Sequence, residues 1–214
     1  MTRICLVDDH DIVRTGLRMV LEKEKDFQVV GEMADGEAAL REIRRLKPDV
    51  VLLDLSLPGV SGVEVARKLL QASPDMGVVI LTSMKKVSFP KILLELGARG
   101  YLTKDNPADE VMRCIRKVAG GGSYICQEIA QKIAEDMMWG NHSPFDALSA
   151  REMEVLLMVL KGMKPGLIAE ELCLSPKTVS TYRHRIFEKL EVGTDMELMR
   201  LAMDHGLITE ASTN

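Results

Sequence analysis

The stretch Val50-Val51-Leu52-Leu53-Asp54 decides the fold, because four apolar residues run directly into one carboxylate. An uninterrupted apolar run of this length is typical of a parallel strand that is buried on both faces. Open α/β sheets place their chemistry at the carboxyl ends of their strands. We therefore expect Asp54 to be a reactive group at the end of a central strand.

Similar apolar runs recur through the first 120 residues and alternate with segments of helical periodicity. The pattern predicts strands at 3–8, 27–30, 50–54, 78–81 and 100–102, and helices at 10–23, 36–46, 61–71, 91–96 and 107–118. Five strands that alternate with five helices indicate an α/β domain with a doubly wound, flavodoxin-like parallel sheet.

The second half of the chain has a different pattern. The glycine run at 120–122 ends the first domain, and the sequence predicts a linker that contains a helix over 121–145. Beyond the linker the periodicity is entirely helical, with helices near 149–161, 166–172, 176–190 and 194–205. The predicted organisation is an α/β domain at 1–120 and a small all-α domain of four helices at 146–214.

Composition limits the classes of function. The chain has 214 residues and a formal net charge of −4, so any basic surface for nucleic acid must be local. Because no C-x-x-C pair is present, we expect reduced, buried thiols rather than metal ligands at Cys5, Cys114, Cys126 and Cys173. The sequence begins with a strand rather than a signal peptide, and no apolar run approaches ~18 residues. We therefore expect a cytoplasmic protein.

Carboxylates follow two strands that a right-handed crossover can place side by side. Asp8 and Asp9 end the first strand, and Asp54 ends the third. Three converging carboxylates repel one another, and a hard divalent cation relieves this repulsion. Mg²⁺ accepts oxygen ligands and keeps positions for water and phosphate oxygens, and the backbone carbonyl of Ser56 can supply a further ligand. The sequence therefore predicts a magnesium site.

Two further strand ends carry Thr82 and Lys104, whose hydroxyl and ammonium suit the oxygens of a phosphoryl group. Carboxylates can attack phosphorus and hold an acyl phosphate, while the cation and Lys104 offset the charge on the transferring group. Taken singly, an acid at a strand end is often a helix cap, and a lysine is most often a surface residue. The combination at four strand ends favours one phosphorylated metal site.

Residues 3–120 resemble the receiver domain of two-component response regulators. The resemblance rests on Leu6–His10, Val51–Leu55, Leu57–Gly59, Leu81–Ser83 and Gly100–Lys104. It implies that Asp54 is the phosphoacceptor, that Asp8 and Asp9 hold Mg²⁺, and that a sensor histidine kinase is the phosphoryl donor. It also implies that Lys104 contacts the phosphoryl group and that Thr82 and Tyr101 form the switch pair.

Two features depart from that family. Many receivers have a proline after the lysine, whereas this chain has Asp105, which leaves the isomer of the Lys104–Asp105 bond open. Pro90 cannot lie deep in a helix, so we expect the fourth helix to be short or shifted.

The most informative part of the second domain starts at Ser175-Pro176, a good N-cap followed by a good first helical residue. The helix that follows is predicted to bury Val179, Ile186 and Leu190. Residues 176–190 contain four lysines or arginines and one acid, although the domain as a whole is slightly acidic. Such a basic helix is either an ordinary solvated face or a local nucleic-acid surface.

The stretches Leu148–Leu156, Ile168–Leu172 and Ser175–Val179 resemble the LuxR-type helix-turn-helix domain, which binds double-stranded DNA. By this resemblance Ser180, Thr181 and His184 face the bases. The phosphate contacts are Lys177, Arg183 and Arg185, which position the helix rather than specify a sequence. The full predicted contact set is Lys177, Thr178, Ser180, Thr181, Arg183, His184 and Arg185.

Both halves together resemble the NarL/FixJ family of response regulators, and within it the group of GacA, UvrY and SirA regulators. This resemblance implies a membrane-bound hybrid kinase as partner, promoters of small regulatory RNAs as targets, and RNA polymerase as a further candidate partner. The last predicted helix is then a homodimer contact, unless its apolar residues pack only on their own domain. We expect a regulator rather than an enzyme.

Two alternatives stay open on the sequence. A Mg²⁺-dependent phosphohydrolase needs a second acid two residues after the nucleophile, where this chain has Ser56. A phosphorylation-independent DNA-binding regulator would use the receiver domain only for dimerisation, and the intact set of acidic residues argues against it.

Overall fold

The structure is a computed structural model that describes residues 1–83, 93–94, 96–139, 143–172, 174–205 and 207–208. Its described residues form two compact units, of which the first ends at Ile133 and the second begins at Ala134.

The first unit is built on a parallel sheet of six strands. The strands are β1 (Thr2–Val7), β2 (Phe27–Met33), β3 (Val50–Leu53), β4 (Gly77–Thr82), β5 (Gly100–Thr103) and β6 (Tyr124–Ile125). Their order in the sheet is β2-β1-β3-β4-β5-β6, and all five pairings are parallel. The first five follow the flavodoxin-like order, so the predicted doubly wound sheet is confirmed.

The central position of β3 explains its apolar sequence. It pairs with β1 on one side and with β4 on the other, and all four of its residues are buried. The backbone N–H of Asp54 donates to the carbonyl of Val7 at 2.8 Å. This hydrogen bond extends the β1–β3 pairing by one step and fixes Asp54 at the carboxyl end of the strand.

In the described part of the first unit, the helices with full bounds include α1 (Asp11–Leu21), α2 (Gly36–Leu46), α3 (Gly62–Ala72), α4 (Ala108–Ala119) and the start of α5 (Gln127–Trp139). Side-chain caps begin two of them: Asp35 accepts from the N–H of Ala38, and Ser61 accepts from the N–H of Glu64. The predicted helix at 91–96 and the stretch around Pro90 lie mostly outside the described residues.

The sixth strand is a difference from the five-stranded prediction. The N–H of Tyr124 donates to the carbonyl of Arg99 at 2.8 Å, and the N–H of Cys126 donates to the carbonyl of Tyr101 at 3.0 Å. A strand of two residues directly after a glycine run is too short to show a periodicity. As a result, the sheet continues into the segment that the sequence suggested as linker.

The second unit is helical. After a short 3₁₀ turn (Pro144–Ala147), its helices are α6 (Ala150–Leu160), α7 (Pro165–Glu171), α8 (Pro176–Leu190) and α9 (Asp195–Asp204). The helix α8 packs against α6 and α7, with Val179 and Ile186 in the core. The predicted domain of four helices is confirmed.

Three of the four cysteines are free and buried, as predicted: Cys5, Cys114 and Cys126. Burial raises the pKa of the Cys5 thiol to about 11 and that of Cys114 to about 12, which keeps both protonated. Cys173 lies outside the described residues. In the described part of the chain, none of the helices combines the length and the apolar character needed to cross a membrane.

Candidate functional site

The predicted acidic residues converge at the carboxyl ends of β1 and β3. Asp8 and Asp54 are buried, with 3% and 1% of their surfaces exposed, whereas Asp9 and His10 are exposed. Ligand atoms of these four residues all lie within 4.8 Å of one another. This edge is the topological switch point between β1 and β3, where open α/β sheets bind their ligands.

Lys104 reaches the same cluster from the end of β5. Its backbone N–H donates to the carbonyl of Thr82 at 2.9 Å, which fixes the start of the side chain. Its ammonium lies 2.6 Å from Asp54 Oδ2 and 2.7 Å from Asp8 Oδ2. Because this side chain is only 10% exposed, the lysine is a component of the site rather than a surface residue.

Burial and pairing set the protonation of this group. Burial raises the pKa of Asp54 above its ordinary value, and the hydrogen bond and charge of Lys104 offset only part of that effect. Burial by itself lowers the pKa of Lys104, but its close pairing with the carboxylates of Asp54 and Asp8 prevails and raises the pKa. The lysine therefore stays charged, and burial holds the pKa of Asp54 above that of an ordinary aspartate.

The residues present fit a hard divalent cation. Three carboxylates supply the oxygen donors that Mg²⁺ prefers. Asp8 Oδ2 is buried and accepts no hydrogen bond of good geometry from the described residues, although the Lys104 ammonium is close. The backbone N–H of Ser56 donates to Asp54 Oδ1 at 3.2 Å, which orients the carboxylate. The role of the Ser56 carbonyl as a ligand stays a prediction.

Two neighbours of the acidic cluster were missed in the sequence. The Nδ1 atom of His10 lies 3.1 Å from Asp8 Oδ1 and 2.8 Å from Asp9 Oδ1, and Arg14 donates to the backbone carbonyl of Asp8. Both residues follow the acids at the start of α1, and this proximity in sequence was the available signal. They hold the turn that carries Asp8 and Asp9.

The proposed switch residues lie on adjacent strands. Thr82 ends β4 opposite Thr103, and Tyr101 pairs with Ile80 two residues earlier on each strand. Thr82 and Tyr101 are both fully buried, and burial raises the pKa of the Tyr101 phenol. Their exchange of positions on phosphorylation stays a prediction. The Lys104–Asp105 peptide bond, which the sequence left open, is trans.

The second predicted site is the outer face of α8. Val179, Ile186 and Leu190 are buried, as predicted. The exposed members of the predicted contact set are Lys177, Ser180, Thr181, His184 and Arg185. One side of the helix thus carries hydroxyl, imidazole and cationic groups in positions open to a ligand.

Two members of the predicted DNA-contact set are only partly exposed, and other residues of the domain hold both of them. One guanidinium nitrogen of Arg183, Nη2, donates to both carboxylate oxygens of Asp195 of α9, at 2.7 and 3.0 Å. The hydroxyl of Thr178 lies 2.8 Å from that of Ser175, and its N–H donates to the same oxygen, so Thr178 helps to cap α8. Arg183 therefore has a structural role that the sequence pattern did not reveal.

Two family models match the chain. One, described as a response regulator receiver domain, matches residues 4–116, and the other, described as bacterial regulatory proteins of the luxR family, matches residues 146–202. The chain belongs to the response regulators. It combines a receiver domain with a LuxR-type DNA-binding domain, so the resemblance stated from the sequence is confirmed.

Named relatives cover nearly the whole response regulator. It is 47% identical over 210 residues to the response regulator GacA of Pseudomonas viridiflava, covering 97% of this chain and 98% of that protein. It is 43% identical over 209 residues to the response regulator UvrY of Escherichia coli strain K12, covering 97% of this chain and 96% of that protein. The similarity to the group of GacA and UvrY regulators is thereby confirmed.

A solved structure shows a similar two-domain chain. RcsB from Salmonella enterica serovar Typhimurium, bound to promoter P1flhDC in the presence of phosphomimetic BeF₃⁻, matches with a TM-score of 0.77 at 25% sequence identity. The match covers 95% of this chain and 98% of that chain.

Proposed function

We propose that this response regulator is a transcription regulator that is switched by phosphorylation of Asp54. The observation that carries the proposal is the cluster of Asp54, Asp8 and Lys104, in which one buried ammonium joins two buried carboxylates. The cluster lies at the end of a central strand, where a phosphoryl donor can approach it.

The reaction is transfer of a phosphoryl group from a phosphohistidine of a sensor kinase. A carboxylate oxygen of Asp54 forms the bond to phosphorus while the phosphorus–nitrogen bond of the donor breaks, and that electron pair leaves with the imidazole. Asp8, Asp9, Asp54 and the Ser56 carbonyl would hold Mg²⁺, which would supply charge stabilisation for the phosphoryl oxygens. Lys104 exchanges its bond to Asp54 for a contact with those oxygens.

The proposed switch links this chemistry to the sheet. The hydroxyl of Thr82 moves toward the phosphoryl oxygens, and the ring of Tyr101 occupies the space that it leaves. Both residues are buried on adjacent strands, so a shift of one requires an adjustment of the other.

The output is binding of promoter DNA by a homodimer. The helix α8 enters the major groove, with Ser180, Thr181 and His184 toward the bases and Lys177 and Arg185 toward phosphates. The structure of RcsB bound to promoter P1flhDC supports promoter binding for this chain as well. In α9, Leu198 and Ala202 are buried while Met196 is 81% exposed, so apolar surface remains for a second copy.

Similarity to GacA and UvrY supports a finer assignment of partners and place. The donor is a membrane-bound hybrid sensor kinase, and the targets are promoters of small regulatory RNAs. The regulator acts in the cytoplasm, where it meets the DNA, and RNA polymerase is a further partner at those promoters.

The test is the intact mass of the protein after incubation with acetyl phosphate and Mg²⁺. We expect wild type to gain one phosphoryl group and Asp54→Asn to gain none. Asp49→Asn is the matched control, because Asp49 lies exposed at the opposite end of the same strand, and it should gain the group. A mass gain in Asp54→Asn would contradict the assignment of the acceptor.

The second step of the test measures affinity for a DNA duplex that the phosphorylated protein selects from a random pool. We expect tighter binding by phosphorylated wild type than by Asp54→Asn. Equal affinity of the two proteins would instead support the phosphorylation-independent regulator, in which the receiver domain serves dimerisation.

A further inference from the structure

A chain of hydrogen bonds begins at the turn that carries Lys104. The backbone N–H of Thr103 donates to Oδ1 of Asn106 at 2.7 Å, and the Thr103 hydroxyl donates to the same oxygen at 3.1 Å. The N–H of Asn106 donates back to the carbonyl of Thr103 at 3.0 Å. Asn106 thus closes the turn after β5, and Lys104 lies within it.

The next two bonds meet on Glu110 in the first turn of α4. Asn106 Nδ2 donates to Glu110 Oε2 at 2.9 Å, and the hydroxyl of Tyr124 donates to Glu110 Oε1 at 3.0 Å. Partial burial and this hydrogen bond raise the pKa of the Tyr124 phenol, so the phenol remains a donor. The Lys117 ammonium lies 5.9 Å from the centroid of the Tyr124 ring and helps to hold it.

Tyr124 belongs to β6, which leads directly into α5. Backbone hydrogen bonds join β6 to β5 on both sides of Gly100, from Tyr124 to Arg99 and from Cys126 to Tyr101. Cys126 and Ile129 are fully buried, which fixes the first turn of α5 on the first unit. The last residues of α5 belong to the second unit, so β6 is the base of the connection between the two.

Phosphorylation must disturb the beginning of this chain. The Lys104 ammonium is 2.6 Å from Asp54 Oδ2, and a phosphoryl group places its oxygens and roughly two negative charges beyond that position. Lys104 and its turn therefore adjust. We propose that Glu110 and Tyr124 are positioning residues that carry this adjustment from the Lys104 turn to β6 and α5. The inference rests on the proposed function, since it needs Asp54 to be phosphorylated.

A merely structural role for these bonds predicts a different result. Bonds that only fasten β6 would stabilise the phosphorylated and unphosphorylated states equally, so their loss would leave the ratio of the two DNA affinities unchanged. Bonds that couple the site to α5 contribute to that ratio. Coupling between two sites commonly changes an affinity by about 5- to 150-fold.

Two variants interrupt the chain with little change of shape. Tyr124→Phe removes only the donor hydroxyl. Glu110→Gln replaces one acceptor oxygen with an amide NH₂, which cannot accept a hydrogen bond. Asp109→Asn is the matched control, because this adjacent acid on α4 is exposed and pairs with Arg113 of the same helix at 3.4 Å.

The experiment uses the full-length protein with acetyl phosphate and Mg²⁺. We measure the phosphoryl gain by intact mass, the DNA affinity with and without phosphorylation, and hydrogen exchange over residues 124–133. We expect all variants to be phosphorylated like wild type. In Tyr124→Phe and Glu110→Gln the affinity ratio should fall by about fivefold or more, while Asp109→Asn keeps it. In the double variant Glu110→Gln with Tyr124→Phe, the affinity ratio should fall no further than in either single variant, because both substitutions interrupt the same chain of bonds.

The outcomes separate this inference from the proposed function. An unchanged ratio in Tyr124→Phe, with Asp54 phosphorylated, would overturn the inference and leave the proposed function intact. If phosphorylated wild type gains no DNA affinity, the proposed function fails. The hydrogen-exchange measurement then tests the inference on its own. The inference is supported if phosphorylation changes hydrogen exchange over residues 124–133 in wild type and if this change is absent in Tyr124→Phe. Any other exchange result would overturn it.

Discussion

The ammonium of Lys104 lies 2.6 Å from Asp54 Oδ2, so the lysine at the end of β5 neutralises the carboxylate at the end of β3. The same ammonium lies 2.7 Å from Asp8 Oδ2. One cation therefore compensates two buried anions, and its removal leaves both carboxylates without this compensating charge. Loss of one partner of a buried ion pair costs about 3–5 kcal/mol when the remaining charge stays buried.

We expect Lys104→Ala to be phosphorylated by acetyl phosphate at least about tenfold more slowly than wild type, because one source of charge stabilisation is lost. We also expect Mg²⁺ to raise the unfolding temperature of Lys104→Ala more than that of wild type, because the cation replaces the missing charge. The measurements are phosphorylation by intact mass over time and thermal unfolding with and without Mg²⁺. Lys23→Ala, an exposed lysine on the same domain, is the control and should behave like wild type.

Asp8 is the ligand whose loss should weaken the cation site most. Its carboxylate is buried at the centre of the acidic cluster, where a cation would share it with the Lys104 ammonium 2.7 Å from Oδ2. We expect Asp8→Asn to weaken Mg²⁺ binding by about tenfold or more, as measured by calorimetric titration. Asp11→Asn, an exposed acid that pairs with Arg14, should bind Mg²⁺ like wild type. Equal weakening of Mg²⁺ binding in both variants would show a general effect of net charge and would contradict the assignment of Asp8 as a ligand.

The parts of the fold that the sequence predicts are those with a local cause. The apolar run before Asp54 predicted β3 because a strand that is buried on both faces needs apolar residues at every position. The convergence of Asp8 and Asp54 followed from the rule that parallel strands end at one edge of the sheet. The partnership of Lys104 with both acids depends on side-chain packing, and no pattern in the sequence determines it.

The parts that were missed are short or depend on distant contacts. The strand β6 has two residues and exists because β5 offers it an open edge. Arg183 matched a DNA-contact pattern, but its ion pair depends on how α9 packs beside α8 and brings Asp195 to it. Helical periodicity identifies the exposed face of α8 and does not say which exposed groups find partners.

The exposed cations of α8 give a prediction on salt dependence. Each phosphate contact that is lost should lower the slope of log affinity against log salt by about one. We therefore expect Lys177→Ala and Arg185→Ala to reduce this slope. Thr181→Ala should instead change the preference for bases and leave the slope unchanged. Arg183→Ala should reduce the slope less than either, because its guanidinium is engaged by Asp195. Arg41→Ala, which removes the same charge from the other domain, is the control.

Glu152 gives a prediction on the pH dependence of stability. Its carboxylate accepts from the N–H of Ser149 at 2.8 Å and from the Lys189 ammonium at 2.6 Å, and so ties the start of α6 to the end of α8. Burial raises the pKa of Glu152, but the hydrogen bonds from Lys189 and Ser149 outweigh burial and lower the pKa below its ordinary value of 4.5. A lowered pKa means that the native state favours the charged carboxylate.

The stabilisation is therefore complete above pH 4.5 and is lost as the pH falls through the lower pKa of the folded protein. We expect Glu152→Gln to lower the stability of the second domain by about 1–3 kcal/mol at pH 7, and the difference from wild type to shrink below the ordinary pKa. The measurement is calorimetric unfolding of the full chain over a range of pH. Glu170→Gln, an exposed acid on α7, should show little effect at any pH. A difference for Glu152→Gln that persists unchanged at acid pH would contradict an ionic origin and indicate that the amide disturbs packing instead.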